Sequence, residues 1–207
     1  DPWIRKYIKL YTAAAEYAGK DDFSVGSPGG LPANDLLSML MGTQNFLMAL
    51  IDHPEWMKHA ITEGAKEQIR IRSSCAGIIR EHHDFWYTNG GWMPFWAPEP
   101  YIGMQSDVSC MLSPDIFEEF VIPELNLRGE LYGAVWYHLD GGDAQHHLPR
   151  LLSLPYIKVI QYVPAPNEPS NGIEHLKLYR KIQNAGKIVH IHVPFEKVKA
   201  LTAKLDP

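Results

Sequence analysis

The sequence predicts an α/β fold built on a parallel sheet. Three observations lead there. Short apolar runs alternate with segments of helical period, their connections are too long for hairpins, and the runs are mostly apolar on both faces. The predicted strands cover residues 23–26, 92–96, 134–139, 157–163 and 188–193. Long loops follow these strands at their C-terminal ends, the functional face of a (β/α) barrel. Eight barrel units take about 250 residues. Five strands in 207 residues leave two readings, an open sheet or a barrel with three units outside this chain.

Residues 3–18 carry Ile4, Ile8, Tyr11, Ala15 and Ala18 at helical spacing, with Gly19 as the stop. The strand at 23–26 leads into Ser27-Pro28-Gly29-Gly30, which lacks the lysine and spacing of a P-loop. Asn34 or Asp35 is expected to cap a helix over 36–41, broken at Gly42, and a further helix covers 44–51. Asp52-His53-Pro54-Glu55 closes that helix and opens a long one to about residue 80, with proline at the first position and an acid in the first turn. Its charges, Lys58, Glu63, Lys66, Glu67 and Arg70, read as a solvated face. After the strand at 92–96 comes a long loop through Gly103. Ser113-Pro114-Asp115 caps a helix that Pro123 should kink or divide. A short helix at 144–152 follows the third strand. A Pro-rich loop at 164–169 follows the fourth, then a helix over 173–185 ended by Gly186 and a last helix over 195–205.

Composition fits one soluble domain over residues 1–207, with 45% hydrophobic and 21% charged residues. The net charge of −5 gives no field that favours nucleic acid. No apolar run approaches the roughly 20 residues that span a bilayer. Two cysteines, Cys75 and Cys110, make no disulfide framework, so a reducing, cytoplasmic setting is the expectation. The start at Asp1-Pro2-Trp3 and the end at Asp206-Pro207 read as cuts through a longer protein. Ten histidines and six tryptophans are the informative features of the composition.

The stretch Tyr137-His138-Leu139-Asp140-Gly141-Gly142 is the first candidate site. Alternate residues of a strand share a face, so His138 and Asp140 point the same way at a strand end, just before a glycine turn. The pair suits catalysis or a metal, and equally a histidine hydrogen-bonded to an acid. Trp136 lies deeper on the same face, while Tyr137 and Leu139 face the helices. His190 and His192 share a face of the last strand. His192, nearer its C-terminal end, would complete a His/Asp/His set for zinc or another divalent ion, whereas His190 reads as part of an inward polar network. Gln161, at a strand end, suits orienting a substrate carboxylate or amide, or capping backbone groups. Trp92, Trp96, Glu99 and Tyr101 would form an aromatic wall with one acid, or an aromatic core. His82-His83 and His146-His147 read as surface pairs, because neighbours in a helix do not face one another. Asp35 is a minor site candidate beside its capping role.

Three segments resemble the uroporphyrinogen decarboxylase superfamily, which includes corrinoid-linked methyltransferases. Leu40-Met41-Gly42 through Asp52-His53-Pro54-Glu55 is similar to its "G … D-x-P-E" helix pair. Ser106-Asp107 through Ser113-Pro114-Asp115-Ile116-Phe117-Glu118-Glu119-Phe120-Val121-Ile122-Pro123 resembles its "D … S-P-x-x-F-x-E-F-x-x-P" segment, the most specific of the three. His138-Leu139-Asp140-Gly141 resembles its strand ending in H-x-x-G. The resemblance runs from about residue 23 to the end and implies a TIM-like barrel, incomplete in this chain, with the site at the strand C-termini. The methyltransferase branch binds zinc through a histidine and a cysteine two residues apart, with a further cysteine on a late strand. His138 matches the histidine, Asp140 stands where the first cysteine would be, and neither Cys75 nor Cys110 occupies a matching position. The decarboxylase branch grips a polycarboxylate tetrapyrrole with N-terminal arginines that this chain does not contain. Asp107 matches its cleft acid, a candidate general acid/base or cation ligand.

The leading expectation is methyl transfer to or from a small molecule, with a metal, zinc by resemblance, at His138 and Asp140 polarising a heteroatom. A corrinoid methyl donor and a corrinoid protein as partner are implied by the resemblance. The first alternative is cofactor-independent decarboxylation of a carboxylated tetrapyrrole or related acid, with Asp107 or His138 exchanging the proton. The second is a barrel that only binds a ligand.

Overall fold

The computed structural model describes residues 1–18, 25–26, 28–82, 97 and 101–205. Its centre is a four-stranded parallel sheet: β1 (Ile102–Met104), β2 (Val135–Asp140), β3 (Ile157–Val163) and β4 (Ile188–His190). The strands lie side by side in sequence order, without a reversal. Nine α-helices accompany them among the described residues. Four precede the sheet: α1 (Pro2–Ala18), α2 (Ala33–Met41), α3 (Thr43–Asp52) and α4 (Pro54–His82). The rest connect or follow the strands: α5 (Pro114–Phe120), α6 (Ile122–Tyr132), α7 (Leu148–Ser153), α8 (Leu176–Asn184) and α9 (Phe195–Thr202).

The main apolar core lies on one side of this sheet. Ile102, Met104, Val135, Tyr137, Leu139, Ile160 and Tyr162 meet apolar residues of α2 through α9 there. The opposite side carries Trp136, His138 and Asp140 on β2 and Val159 and Gln161 on β3. Trp136 belongs to a separate small cluster with Tyr101. Alternation along β2 therefore turns one set of side chains to the main core and the other to the opposite face of the sheet.

Several elements match the sequence reading. α5 begins where Ser113 accepts a hydrogen bond from the Ile116 N–H at 3.3 Å, a side-chain cap. Pro123 divides the predicted helix, with Val121 as the joint between α5 and α6. The outer face of α4 carries exposed pairs, Lys66–Glu63 at 2.8 Å and Arg70–Glu67 at 2.6 Å. Such pairs contribute little to stability.

Other expectations are corrected. Residues 102–104 are a strand rather than part of a long loop. Three residues with a central glycine are too few to show a period, and β1 exists through its pairing with β2. Val25 and Gly26 are not in a strand, and Phe23, Ser24 and the whole predicted strand at 92–96 lie outside the described residues. β4 stops at His190, short of the predicted 193. Asn34 and Asp35 do not cap α2, which starts at Ala33, three residues before the predicted start, and is capped from a distance. Glu124 of α6 accepts the Ala33 N–H on both oxygens at 3.0 Å, and Asn34 Nδ2 bonds the Phe120 carbonyl at 3.1 Å and Glu124 at 3.3 Å. Of the pair His146 and His147, His146 is exposed as expected and His147 is not. They sit on a tight 3-10 turn rather than a helix, their rings 3.8 Å apart. His147 is buried, stacked on Phe117 and bonded to the Ser109 carbonyl at 2.9 Å.

Glu124 is thus the anchor between α2 and α6, and Arg128 is its buried counter-charge at 2.7 Å. Removing one member of a buried pair leaves the other charge uncompensated. Arg128→Leu is expected to cost on the order of 3–5 kcal/mol, read as a lower urea midpoint with the slope unchanged. A loss within error would contradict the anchoring role.

Candidate functional site

Three polar side chains converge at the C-terminal ends of β1 and β2. His138 and Asp140 are on β2, with Nε2 and Oδ1 3.8 Å apart. Asp107 opens the 3-10 turn Asp107–Met111 that follows β1. Each offers one ligand atom, and the three atoms all lie within 4.8 Å of one another. Donors around a bound zinc stand roughly 3–3.5 Å apart, within reach of small rotations of the exposed Asp107 and Asp140.

Each group is held from behind. His138 and Gln161 are register partners on β2 and β3, and their side chains meet with Nδ1 2.6 Å from Oε1. A carbonyl oxygen only accepts, so Nδ1 carries the proton and Nε2 is the nitrogen directed at Asp140. A metal-binding histidine is commonly fixed in this way through its other nitrogen. Asp107 is positioned by Asp35 of α2. The buried Asp35 carboxylate accepts the Asp107 N–H at 3.1 Å and the Val108 N–H at 3.2 Å, capping the turn. Gln105 Nε2 donates to Asp107 at 2.8 Å and to Asp35 at 3.3 Å, bridging the two acids.

Asp140 ends its strand at a glycine pair. Gly141 has φ 72°, a conformation that glycine adopts without strain, and its N–H bonds the Val163 carbonyl at 2.8 Å. A side chain at Gly142 would meet Glu168 Oε1 at 2.5 Å. Glu168 needs that closeness, since its carboxylate accepts N–H bonds from Gly142 at 2.9 Å and Ala165 at 2.7 Å and the Tyr162 hydroxyl at 3.1 Å. It fastens the turn after Asp140 to the loop after β3. Although burial opposes its ionisation, these bonds win and lower its pKa.

The electrostatics are set by partial burial and by the closeness of the acids. Asp107 is exposed as a residue, yet partial burial of its carboxyl, then the neighbouring Asp35 and Asp140, raises its pKa to about 7. Burial also raises Asp35, against the bonds from Asp107, Val108 and Gln105. Burial lowers the His138 pKa despite its bond to Gln161 and the nearby Asp140, so the imidazole is neutral at pH 7. One neutral imidazole and two carboxylates form a nitrogen/oxygen donor set for a divalent cation. The set contains no thiolate. The Cys110 thiol donates to the Asp107 carbonyl at 3.2 Å, and burial and the adjacent Asp140 raise its pKa.

The structure thus brings together Asp107, His138, Asp140 and Gln161 of the expected residues. It does not bring His192 into this group. The His192 ring stands 5.2 Å from that of His190, which stacks on Trp136 at 4.9 Å. Tyr101 is buried against Trp136. Trp92, Trp96 and Glu99 lie outside the described residues, as does His83. Sequence reasoning missed Gln105 and Glu168. Gln105 stands two residues before Asp107 and could have been found from that spacing; Glu168 sits in a Pro-rich loop with no local signal. No family model matches the chain, and no curated protein or solved structure matches it either.

The raised Asp107 pKa fixes the sign of two pH effects. Cation binding requires the ionised carboxylate, so binding should release close to one proton at about pH 6 and little at about pH 8, with affinity falling as pH drops below 7. Calorimetry in buffers of different ionisation enthalpy measures this release. Without cation, Asp107 favours folding below its unfolded pKa and loses that contribution as pH rises through about 7. Asp107→Asn should abolish both effects, and an unaltered proton release would contradict the assignment.

Proposed function

We propose that this chain is the catalytic part of a small-molecule enzyme similar to the uroporphyrinogen decarboxylase superfamily, working at a divalent-cation site formed by Asp107, His138 and Asp140. The observation that carries the reading is the convergence of these three side chains with His138 already oriented by Gln161. A barrel wall is supported by the sequential parallel order with the main helical core on one side, since doubly wound sheets reverse their order and take helices on both faces. The candidate site then occupies the end of the strands where barrel enzymes work.

Methyl transfer is the chemistry we favour. A bound divalent cation supplies Lewis acidity toward a substrate heteroatom. The donor set fits such a cation and does not fit the thiolate-rich zinc site of the methyltransferase branch, so zinc by resemblance becomes a nitrogen/oxygen-ligated ion here. His138 presents Nε2 with its tautomer fixed. Asp107, with a pKa near neutrality, takes or returns a proton at its carboxyl. Asp140, exposed at the mouth, orients the reacting group. A corrinoid protein as methyl donor rests on the resemblance alone. Both cysteines are free thiols, which suits a reducing compartment, and no described helix is long and apolar enough to cross a membrane.

Decarboxylation is the second reading. It is favoured by one observation, that Asp107 holds a proton near pH 7 and so serves as a proton donor without a cation.

Metal analysis separates the two. Methyl transfer predicts one equivalent of divalent metal, lost in His138→Ala and Asp140→Ala with the fold retained by circular dichroism. Metal-free protein that decarboxylates a tetrapyrrole acid would overturn it.

A further inference from the structure

The amide of Gln161 is only half used. Its oxygen accepts from His138, yet among the described residues its nitrogen has no hydrogen-bond partner, although Gln161 is 1% exposed. A buried donor left unmade costs its full desolvation, and an acceptor that arrives from outside would recover it. The amide oxygen is committed to His138 on β2. The amide nitrogen is the other arm of the same planar group, on the sheet face shared with His190, its register partner on β4.

The charge on this face narrows the acceptor. The carboxylates Asp107 and Asp140 flank His138. Beyond Gln161 stand the imidazoles of His190 and His192 and the indole of Trp136, on which His190 stacks. No lysine or arginine stands on this face of β2, β3 or β4 among the described residues. On this strand face, among the described residues, a polycarboxylate or a phosphate would find no counter-charge apart from the cation. Asp107 and Asp140 together balance a dication between them, whereas without it these two acids and the buried Asp35 beside them repel an anion.

We propose that Gln161 Nε2 is a substrate-binding donor, and that it selects a small monocarboxylate whose charge is met by the cation and whose oxygen accepts from this amide. This rests on the cation site proposed above and names the substrate class of that site. His190 is only half-buried, so rotation of its ring admits a ligand oxygen to the amide. Binding is ordered, cation first and carboxylate second. The apolar body of the acid would lie against the ring of His190, which itself stacks on the buried Trp136.

The test titrates purified protein with Mn(II), then with benzoate at saturating Mn(II), using calorimetry and the Mn(II) paramagnetic resonance signal. Wild type should bind benzoate at least tenfold more tightly with Mn(II) than without, and gain nothing from a tricarboxylate. Gln161→Glu keeps an acceptor for the His138 Nδ1–H, so its Mn(II) affinity should hold or rise while benzoate binding falls tenfold or more. Gln161→Met adds no charge. It should lose 10–100-fold in Mn(II) affinity and, once Mn(II) is saturating, show the same loss of benzoate. Wild-type protein that takes no Mn(II) would overturn the cation site and this inference with it. Mn(II) binding without benzoate binding, or Gln161→Met that binds benzoate as wild type does at saturating Mn(II), would overturn the inference alone.

Discussion

The hydrogen bond between His138 Nδ1 and Gln161 Oε1, 2.6 Å long, is the interaction on which the rest of the site depends. It exists because β2 and β3 pair in a register that sets the two residues opposite one another. That register follows from burial. Tyr137, Leu139, Ile160 and Tyr162 must face the helical core, and a slip of one residue would turn the apolar set of the slipped strand outward. Core packing therefore fixes the tautomer of an imidazole that takes no part in the core. The remaining nitrogen is then directed by the fold, ahead of any ligand.

The acids around that nitrogen are held against their mutual repulsion. Asp35 is buried and offset by two backbone N–H bonds and one amide, so its own burial also builds the turn that carries Asp107. Asp140 is placed by a glycine pair that Glu168 clamps from the neighbouring loop. Burial first, and then the nearby Asp35 and Asp140, raise the pKa of Asp107. Two means relieve such a cluster, a proton or a cation. The competition between them links the two chemistries considered above, since the residue that would hold a proton for decarboxylation is the one that must release it for a cation.

Much of this was legible in the sequence. The alternation of Val135, Tyr137 and Leu139 with Trp136, His138 and Asp140 announced both the strand and its two faces, and Asp107 was marked by the Ser113-Pro114 segment that follows it. The parallel sheet came from connection length and composition. What was hidden depends on distance in the chain. Asp35 looks like a helix cap because capping residues and tertiary anchors share one chemistry, and only the fold shows its carboxylate spent on the Asp107 turn 72 residues away. Glu124 caps α2 from 91 residues off, which no local pattern records. β1 is too short for periodicity. His147 gave a surface signal because its burial comes from Phe117 on another element.

The central claim is that Asp107, His138 and Asp140 together hold a divalent cation through nitrogen and oxygen. Zinc K-edge absorption spectroscopy of the zinc-loaded protein tests it most directly. The account predicts light scatterers only, one imidazole nitrogen among oxygens at about 2.0–2.2 Å, with the imidazole signature lost in His138→Ala. A sulfur shell at about 2.3 Å, or an imidazole signature that survives the substitution, would contradict it.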